Sequence, residues 1–147
     1  MELHVEYGPG EVRVNIHGPE SSPELQRVLA ILQFGSEKIW AQDGQGITAG
    51  ISPDKIVWAE TLEDKLFIYT DSAMYKADCS LASLELRWWQ LGLFRCGKST
   101  VVNLNAVKSL RSCPGGRIEA VIRTGEKIMI SRRYAPALRE KLQGEFE

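Results

Sequence analysis

The letters G-x-x-x-x-G-K-[ST] occur at residues 92–99, within the stretch GLFRCGKSTVVNLNAVKSL. In a phosphate-binding loop this pattern places backbone amides and a lysine around the phosphates of a nucleotide. Such a loop consists of small residues and connects a buried strand to a helix. Here the intervening residues include Leu93 and Phe94, and the β-branched TVVNLNAV that follows Ser99 is a poor helix former. We therefore expect no nucleotide partner and no enzymatic activity.

The charge distribution favours a different anion. Residues 1–90 carry 7 basic and 14 acidic side chains, a balance of −7, whereas residues 91–147 carry 11 basic and 5 acidic side chains, a balance of +6. These balances add up to the net charge of −1. An anionic partner for the C-terminal part would explain the asymmetry, although acidic and basic halves that pack on each other would explain it equally well.

Composition indicates a globular protein without a cofactor. Hydrophobic residues make up 44% and charged residues 25% of the chain, and no stretch approaches the roughly 20 apolar residues that a membrane helix needs. The acidic, alternating N-terminus is unlike a secretory signal, so we expect a cytoplasmic protein. The chain has three cysteines, Cys79, Cys96 and Cys113, which form no C-x-x-C pair and lie far from both histidines. We therefore expect no metal site and no disulfide. A redox role for Cys96, which has basic neighbours, is the alternative to a buried thiol.

Hydrophobic periodicity predicts an α+β fold that is mainly β. Residues 2–7 and 11–17 alternate on either side of a Gly-Pro-Gly turn, which is typical of two short strands or a hairpin. A helix is predicted over residues 22–34, with Ser22 as its N-cap and Gly35 as its end. Its apolar stripe consists of Leu25, Val28, Leu29 and Leu32.

Short apolar runs from residue 38 onward predict strands, with an Asp43-Gly44 hairpin signal. SLASLELRWWQ and the tail from about Arg132 have helical spacing, and Pro136 fits only the first turn of the last helix. We divide the chain into a small strand–helix extension, residues 1–45, and a main domain, residues 46–147.

Residues 50–143 resemble the LytTR DNA-binding domain of bacterial response regulators. Four features in the expected order carry the resemblance: KIVWAE followed by an aromatic strand, LFRCGKSTVVNLNAVKSL, a glycine-containing turn before an alternating strand, and GEKIMISRRYAPALREKL. The second is similar to the family core F-x-R-x-x-[KR]-S-x-[IV]-V-N, and the last is similar to its closing G-x-x-[IL]-x-[IV]-S-R-R-Y. The resemblance implies an antiparallel β domain with short helices, which inserts loops into successive major grooves of promoter DNA.

The resemblance also selects DNA-binding residues. Lys98 and Arg133 occupy the family's contact positions, and Lys65 is the best candidate in a third loop, LEDKL, which is unusually acidic. The full set of candidate DNA-binding residues is Lys98, Arg133, Lys65, Arg132, Ser99, Thr100 and Arg95. Their cationic and hydroxyl side chains are suited to phosphates and to guanine edges. Arg95 has the equal alternative of a buried ion pair, and Asn103 is expected to brace the loop rather than contact DNA.

Regulation and partners follow only from the resemblance. About 45 residues precede the DNA-binding part, too few for a phosphoacceptor receiver domain, so a stand-alone regulator is expected. The resemblance implies a homodimer on repeated sites in double-stranded promoter DNA. It also implies a small membrane protein that holds the regulator inactive, with the N-terminal hairpin and the helix over residues 22–34 as docking or dimerisation elements. A helix that only covers one face of a sheet is an equal alternative. The alternative function is a protein-interaction module of LytTR fold that acts through such a partner rather than through DNA.

Overall fold

The computed structural model describes residues 2–34 and 37–146. Within these residues the α-helices are α1 (Pro23–Phe34), α2 (Leu81–Trp88) and α3 (Ala135–Phe146). The strands are β1 (Ile39–Gln42), β2 (Thr48–Ile51), β3 (Trp58–Leu62), β4 (Lys65–Tyr69), β5 (Met74–Ala77), β6 (Leu93–Gly97), β7 (Thr100–Asn103), β8 (Val107–Cys113), β9 (Arg117–Ile122) and β10 (Lys127–Ile130). The predicted α+β, mainly β fold is confirmed.

The strands form two antiparallel sheets that pack through a divided core. The first sheet has seven strands in the order β2-β1-β5-β4-β3-β7-β6, and the second has three in the order β10-β9-β8. Because side chains alternate along a strand, Val101 in β7 lies in the core beneath α1 and α2, whereas Val102 lies in the core shared with the second sheet and α3. The first sheet is therefore covered on both faces around β7.

Local signals account for most element boundaries. The hydroxyl oxygen of Ser22 accepts from the amide of Leu25 at 3.3 Å, and that of Ser80 accepts from the amide of Ser83 at 3.1 Å, so both helices have serine caps. Asp43 closes the β1–β2 turn, since its Oδ1 accepts from the amides of Gln45 and Ile47 at 2.8 and 3.0 Å.

The predicted N-terminal strands are wrong. Residues 2–17 form no strand in the described chain, and the side chains of Leu3, Tyr7 and Val12 are about nine-tenths exposed. An isolated two-stranded hairpin is marginal in water, and residues 2–17 pair with neither of the two sheets. Alternation alone therefore did not produce a strand.

Helix α1 forms as predicted but buries a different residue. Ala30 is buried against the first core, whereas Leu32 of the predicted stripe is 52% exposed. The other stripe members, Leu25, Val28 and Leu29, are half-buried. The predicted stop at Gly35 lies outside the described residues.

Two further boundaries concern the ends of the main domain. Helix α3 begins at Ala135 rather than near Arg132, and Pro136 lies in its first turn as expected. Strand β1 precedes the proposed division at residues 45 and 46, and it pairs with β5 inside the seven-stranded sheet. The division into residues 1–45 and 46–147 stays a prediction.

Candidate DNA-binding surface

The G-K-S letters lie in a tight hairpin turn. Strand β6 ends at Gly97, and Thr100, the first residue of β7, pairs with Gly97, so Lys98 and Ser99 form a two-residue loop. Both loop residues are exposed, and Thr100 is half-buried. A strand rather than a helix follows the glycine and lysine, so the backbone does not form the phosphate cradle of a nucleotide-binding loop. The turn instead presents an exposed cation at the end of a rigid hairpin.

The side chain of Arg95 binds the backbone of this turn. Its Nε donates to the carbonyl of Gly97 at 2.7 Å, and its Nη2 donates to the carbonyl of Lys98 at 2.5 Å. Its Nη1 lies 3.5 Å from Oε2 of Glu85 on α2. The Arg95 side chain is only 18% exposed. The geometry therefore favours the ion-pair alternative for Arg95, with the guanidinium bound to the backbone of the turn.

The segment before α3 lies against the same hairpin. The amide of Ser131 donates to the carbonyl of Cys96 at 2.8 Å. The carbonyl of Ser131 in turn accepts from the amides of Tyr134 and Ala135, each at 3.0 Å, which starts the last helix. Arg132 and Arg133 are exposed in this turn, and the Arg133 guanidinium carbon lies 5.5 Å from the centre of the Tyr134 ring.

The third predicted loop, the β3–β4 turn, is tied to the hairpin from the other side. The amide of Thr61 donates to the carbonyl of Ser99 at 2.9 Å. The turn residues Glu63 and Asp64 have φ of 51° and 63°, a left-handed conformation that glycine or asparagine adopts more readily. Lys65 follows and is exposed. Two backbone hydrogen bonds thus place all three predicted loops at one end of the molecule.

A buried amide network supports the hairpin. Asn103 is 1% exposed, and its Nδ2 donates to the carbonyl of Ile56 at 2.8 Å while its Oδ1 accepts from the amide of Asn105 at 2.9 Å. Nδ2 of Asn105 donates to the carbonyl of Leu91 at 2.9 Å. Gly92, at φ 103°, packs against both side chains, and a Cβ there would lie 2.7 Å from Nδ2 of Asn105. Asn103 therefore braces the structure, as its sequence position suggested.

The cysteine beneath the hairpin is a core residue. Cys96 is fully buried, and its Sγ donates to the carbonyl of Thr100 at 3.4 Å. Burial raises the pKa of this thiol to about 12 although the Arg95 charge opposes the shift. These observations favour a buried core thiol over a redox role for Cys96, because a redox sensor needs an accessible thiolate.

Two kinds of site, a metal-ligand cluster and a helix that could span a membrane, can be assessed in the part of the chain that the structure describes. Residues 2–34 and 37–146 contain no cluster of His, Cys, Asp or Glu side chains that could hold a metal ion. No helix in these ranges has the length and apolar character that a membrane crossing requires.

One basic residue near this surface was not selected from the sequence. Ile118 in β9 pairs with Ile130 in β10, so Arg117 and Ser131, one position further along, lie on neighbouring strands at the same end. Arg117 follows a Pro-Gly-Gly turn, which was visible in the sequence. Its neighbours, however, depend on the long-range pairing of the second sheet.

Comparisons with known proteins agree with this architecture. Two curated relatives match part of the chain: the sensory transduction protein LytT of Enterococcus faecalis is 23% identical over 92 residues, which cover 63% of this chain and 38% of that protein. An uncharacterized response regulatory protein of Vibrio cholerae is 31% identical over 83 residues, which cover 52% of this chain and 35% of that protein. The chain thus spans well under half the length of these relatives.

A solved structure and a family model cover more of the chain. A LytTr DNA-binding domain from Bacillus cereus superposes with a TM-score of 0.67 at 20% identity, covering 74% of this chain and 98% of that one. This likeness shows the fold. The family model described as the LytTr DNA-binding domain matches residues 48–143. The chain belongs to the LytTR DNA-binding domain family.

Proposed function

We propose that this protein is a sequence-specific transcriptional regulator that binds double-stranded promoter DNA through loops in the major groove. The observation that carries the proposal is the convergence of three loops, since the carbonyls of Cys96 and Ser99 accept from the amides of Ser131 and Thr61 at 2.8 and 2.9 Å. Exposed cations in rigidly related turns are suited to successive contacts along one duplex.

The candidate side chains divide into three roles. Lys98 and Arg133 have the reach to donate to guanine O6 and N7, and Arg132 and Lys65 bind phosphates. Ser99 and Thr100 donate their hydroxyls to the phosphate nearest the hairpin. Arg95, in contrast, acts as a positioning residue through its bonds to the carbonyls of the turn. The chemistry is binding alone, with no cofactor and no enzymatic step.

The assembly and regulation belong to the same proposal. The regulator binds repeated promoter sites as a homodimer in the cytoplasm, under the control of a small membrane inhibitor protein. The division into residues 1–45 and 46–147 assigns DNA binding to the second part and leaves the first for such contacts.

Exposed apolar side chains on α1 favour the alternative of a protein-interaction module. Ile31 and Leu32 are 58% and 52% exposed on this helix. If the module acts only through a partner, substitution of these residues by Ser would abolish co-purification from the native host, and specific DNA binding would be absent from the unmodified protein.

Fluorescence anisotropy with the chain's own upstream promoter DNA, in a salt series, tests DNA binding. Lys98→Ala and Arg133→Ala should each make the free energy of DNA binding less favourable by about 1–3 kcal/mol if the side chain reads a base. Lys127→Ala is a matched control, because exposed Lys127 begins β10 at the end opposite to Arg133. Binding that is unchanged in both test variants would remove the assignment of these residues.

A further inference from the structure

The hairpin turn of the second sheet lies next to the proposed DNA-binding surface. In β8 and β9, Cys113 pairs with Arg117, and the turn between them contains Gly115 and Gly116 at φ of 84° and 78°. Glycine adopts this left-handed conformation without the steric cost that a Cβ would add. The second sheet therefore ends in a compact turn without bulky side chains.

This turn contacts a cation of the surface. A Cβ built on Gly116 would lie 3.1 Å from Cγ and 3.4 Å from Cδ of Arg132. The glycine backbone thus packs against the aliphatic part of the Arg132 side chain. Strand register gives the same proximity independently, because Arg117 and Ser131 lie side by side just beyond the Ile118–Ile130 pair.

Arg117 carries a charge that no carboxylate neutralises within residues 2–34 and 37–146. Its Nε donates to the carbonyl of Pro114 at 3.3 Å, and none of the ion pairs of these residues includes it. Two other arginines in or next to the second sheet are paired: Arg111 in β8 lies 3.1 Å from Glu119, and Arg123 in the β9–β10 turn lies 2.7 Å from Asp71. The exposed guanidinium of Arg117 is therefore uncompensated, and it lies in the turn whose Gly116 contacts Arg132.

We propose that the β8–β9 turn is a fourth DNA-contacting segment, in which Arg117 binds a phosphate of the duplex. This inference rests on the proposed function, since it extends the same surface to the second sheet. A phosphate is the appropriate ligand because the glycines let the backbone approach the duplex closely and the guanidinium offers two planar donors to phosphate oxygens. The contact fixes the orientation of the second sheet on DNA and does not read sequence.

The test compares Arg117→Gln with Lys127→Gln in the full chain. Both variants remove one exposed positive charge from the second sheet, but Lys127 lies at the far end of β10. Affinity is measured by fluorescence anisotropy for the promoter duplex and for a scrambled duplex of equal length, across a salt series. Arg117→Gln should weaken binding to both duplexes about tenfold and reduce the slope of log affinity against log salt by about 0.9, whereas Lys127→Gln should change neither.

A conservative variant and the unmodified protein complete the design. Arg117→Lys keeps the charge and should retain most of the salt slope. If Arg117→Gln behaves as Lys127→Gln does, or if it weakens binding to the promoter duplex alone, the phosphate contact is refuted while the proposed function stands. If the unmodified protein does not bind the promoter duplex, the proposed function fails and this inference fails with it.

Discussion

The amide of Ser131 donates a hydrogen bond of 2.8 Å to the carbonyl of Cys96, which joins the residue after β10 to the next-to-last residue of β6. Cys96 belongs to the first sheet, whereas Ser131 directly follows the last strand of the second sheet. The bond therefore sets the distance between the Lys98 turn and the turn that holds Arg132 and Arg133. It also lies where β6 departs from regular pairing, between Arg95 and Gly97. A bulge that aims one carbonyl away from its own ladder is a common device for orienting a functional loop.

Removing this hydrogen bond should weaken DNA binding without changing any cation. Ser131→Pro lacks the amide hydrogen, whereas Ser131→Ala keeps it. Leaving the carbonyl of buried Cys96 without its partner should lower the free energy of unfolding by about 1–3 kcal/mol, as measured by urea titration. Promoter affinity of the folded Ser131→Pro protein should fall further than that of Ser131→Ala. Equal affinities of the two variants would show that the loops do not depend on this bond.

Substitutions that keep or remove the charge of Arg95 distinguish its two alternative roles, which are positioning of the turn and binding of a phosphate. If it positions the turn, Arg95→Lys should weaken binding almost as much as Arg95→Ala, because an ammonium cannot reproduce its planar set of donors to the carbonyls of Gly97 and Lys98. The salt slope should stay unchanged in both variants, since no phosphate contact is lost. Anisotropy across a salt series provides the measurement. A slope that falls in Arg95→Ala and recovers in Arg95→Lys would instead assign Arg95 to a phosphate.

Local sequence patterns predicted much of the fold because the interactions that they encode are short in range. The Ser22 cap of α1 and the Asp43 turn each depend on residues within a few positions. Residues 2–17 show the limit. Their alternation is as regular as that of β9, but β9 has β8 and β10 beside it, whereas the N-terminal segment has no neighbouring strand.

The candidate surface was only partly predictable for the same reason. Lys98 and Arg133 could be selected from the motif that each belongs to. The bracing role of Arg95 depends on Glu85 in α2 and on the backbone of the turn, which no spacing rule reveals. The contact of Gly116 with Arg132 depends on the register of three strands. Sequence patterns therefore identified candidate side chains, and pairing between distant segments determined which of them lie together.

Cys96 should be inert to thiol reagents at neutral pH. Burial raises its pKa to about 12, above its usual value of 9.0, so the folded state holds a proton that the unfolded state loses above about pH 9. The contribution of Cys96 to stability is therefore complete below pH 9 and is lost as the pH rises towards 12. In Cys96→Ala the free energy of unfolding should decline less steeply over this window, measured by urea titration at successive pH values. Identical slopes would contradict the assignment, and rapid labelling of native Cys96 by iodoacetamide at pH 7 would contradict its burial.

The acidic residues of the β3–β4 turn should lower both the free energy of unfolding and the affinity for DNA. Glu63 and Asp64 adopt left-handed conformations that cost about 1 kcal/mol each for residues with a Cβ, although aspartate tolerates this region better than most. The substitutions Glu63→Asn and Asp64→Gly together install the pair that such turns favour, and should raise the midpoint of urea unfolding. Asp64→Ala, which keeps the strain without the short polar side chain, should lower it.

The same double variant removes two negative charges beside Lys65 on the proposed surface. Affinity for promoter and scrambled duplexes should therefore rise together at low salt, because repulsion between the turn and phosphates does not depend on sequence. Asp54→Asn is the control, since exposed Asp54 precedes β3 at the end opposite to the turn and should leave binding unchanged. If instead promoter affinity falls while scrambled affinity rises, a carboxylate of this turn accepts a hydrogen bond from a base, for which cytosine N4 is the chemical match. If neither affinity changes, the β3–β4 turn does not face DNA, and Lys65 leaves the set of contacting residues.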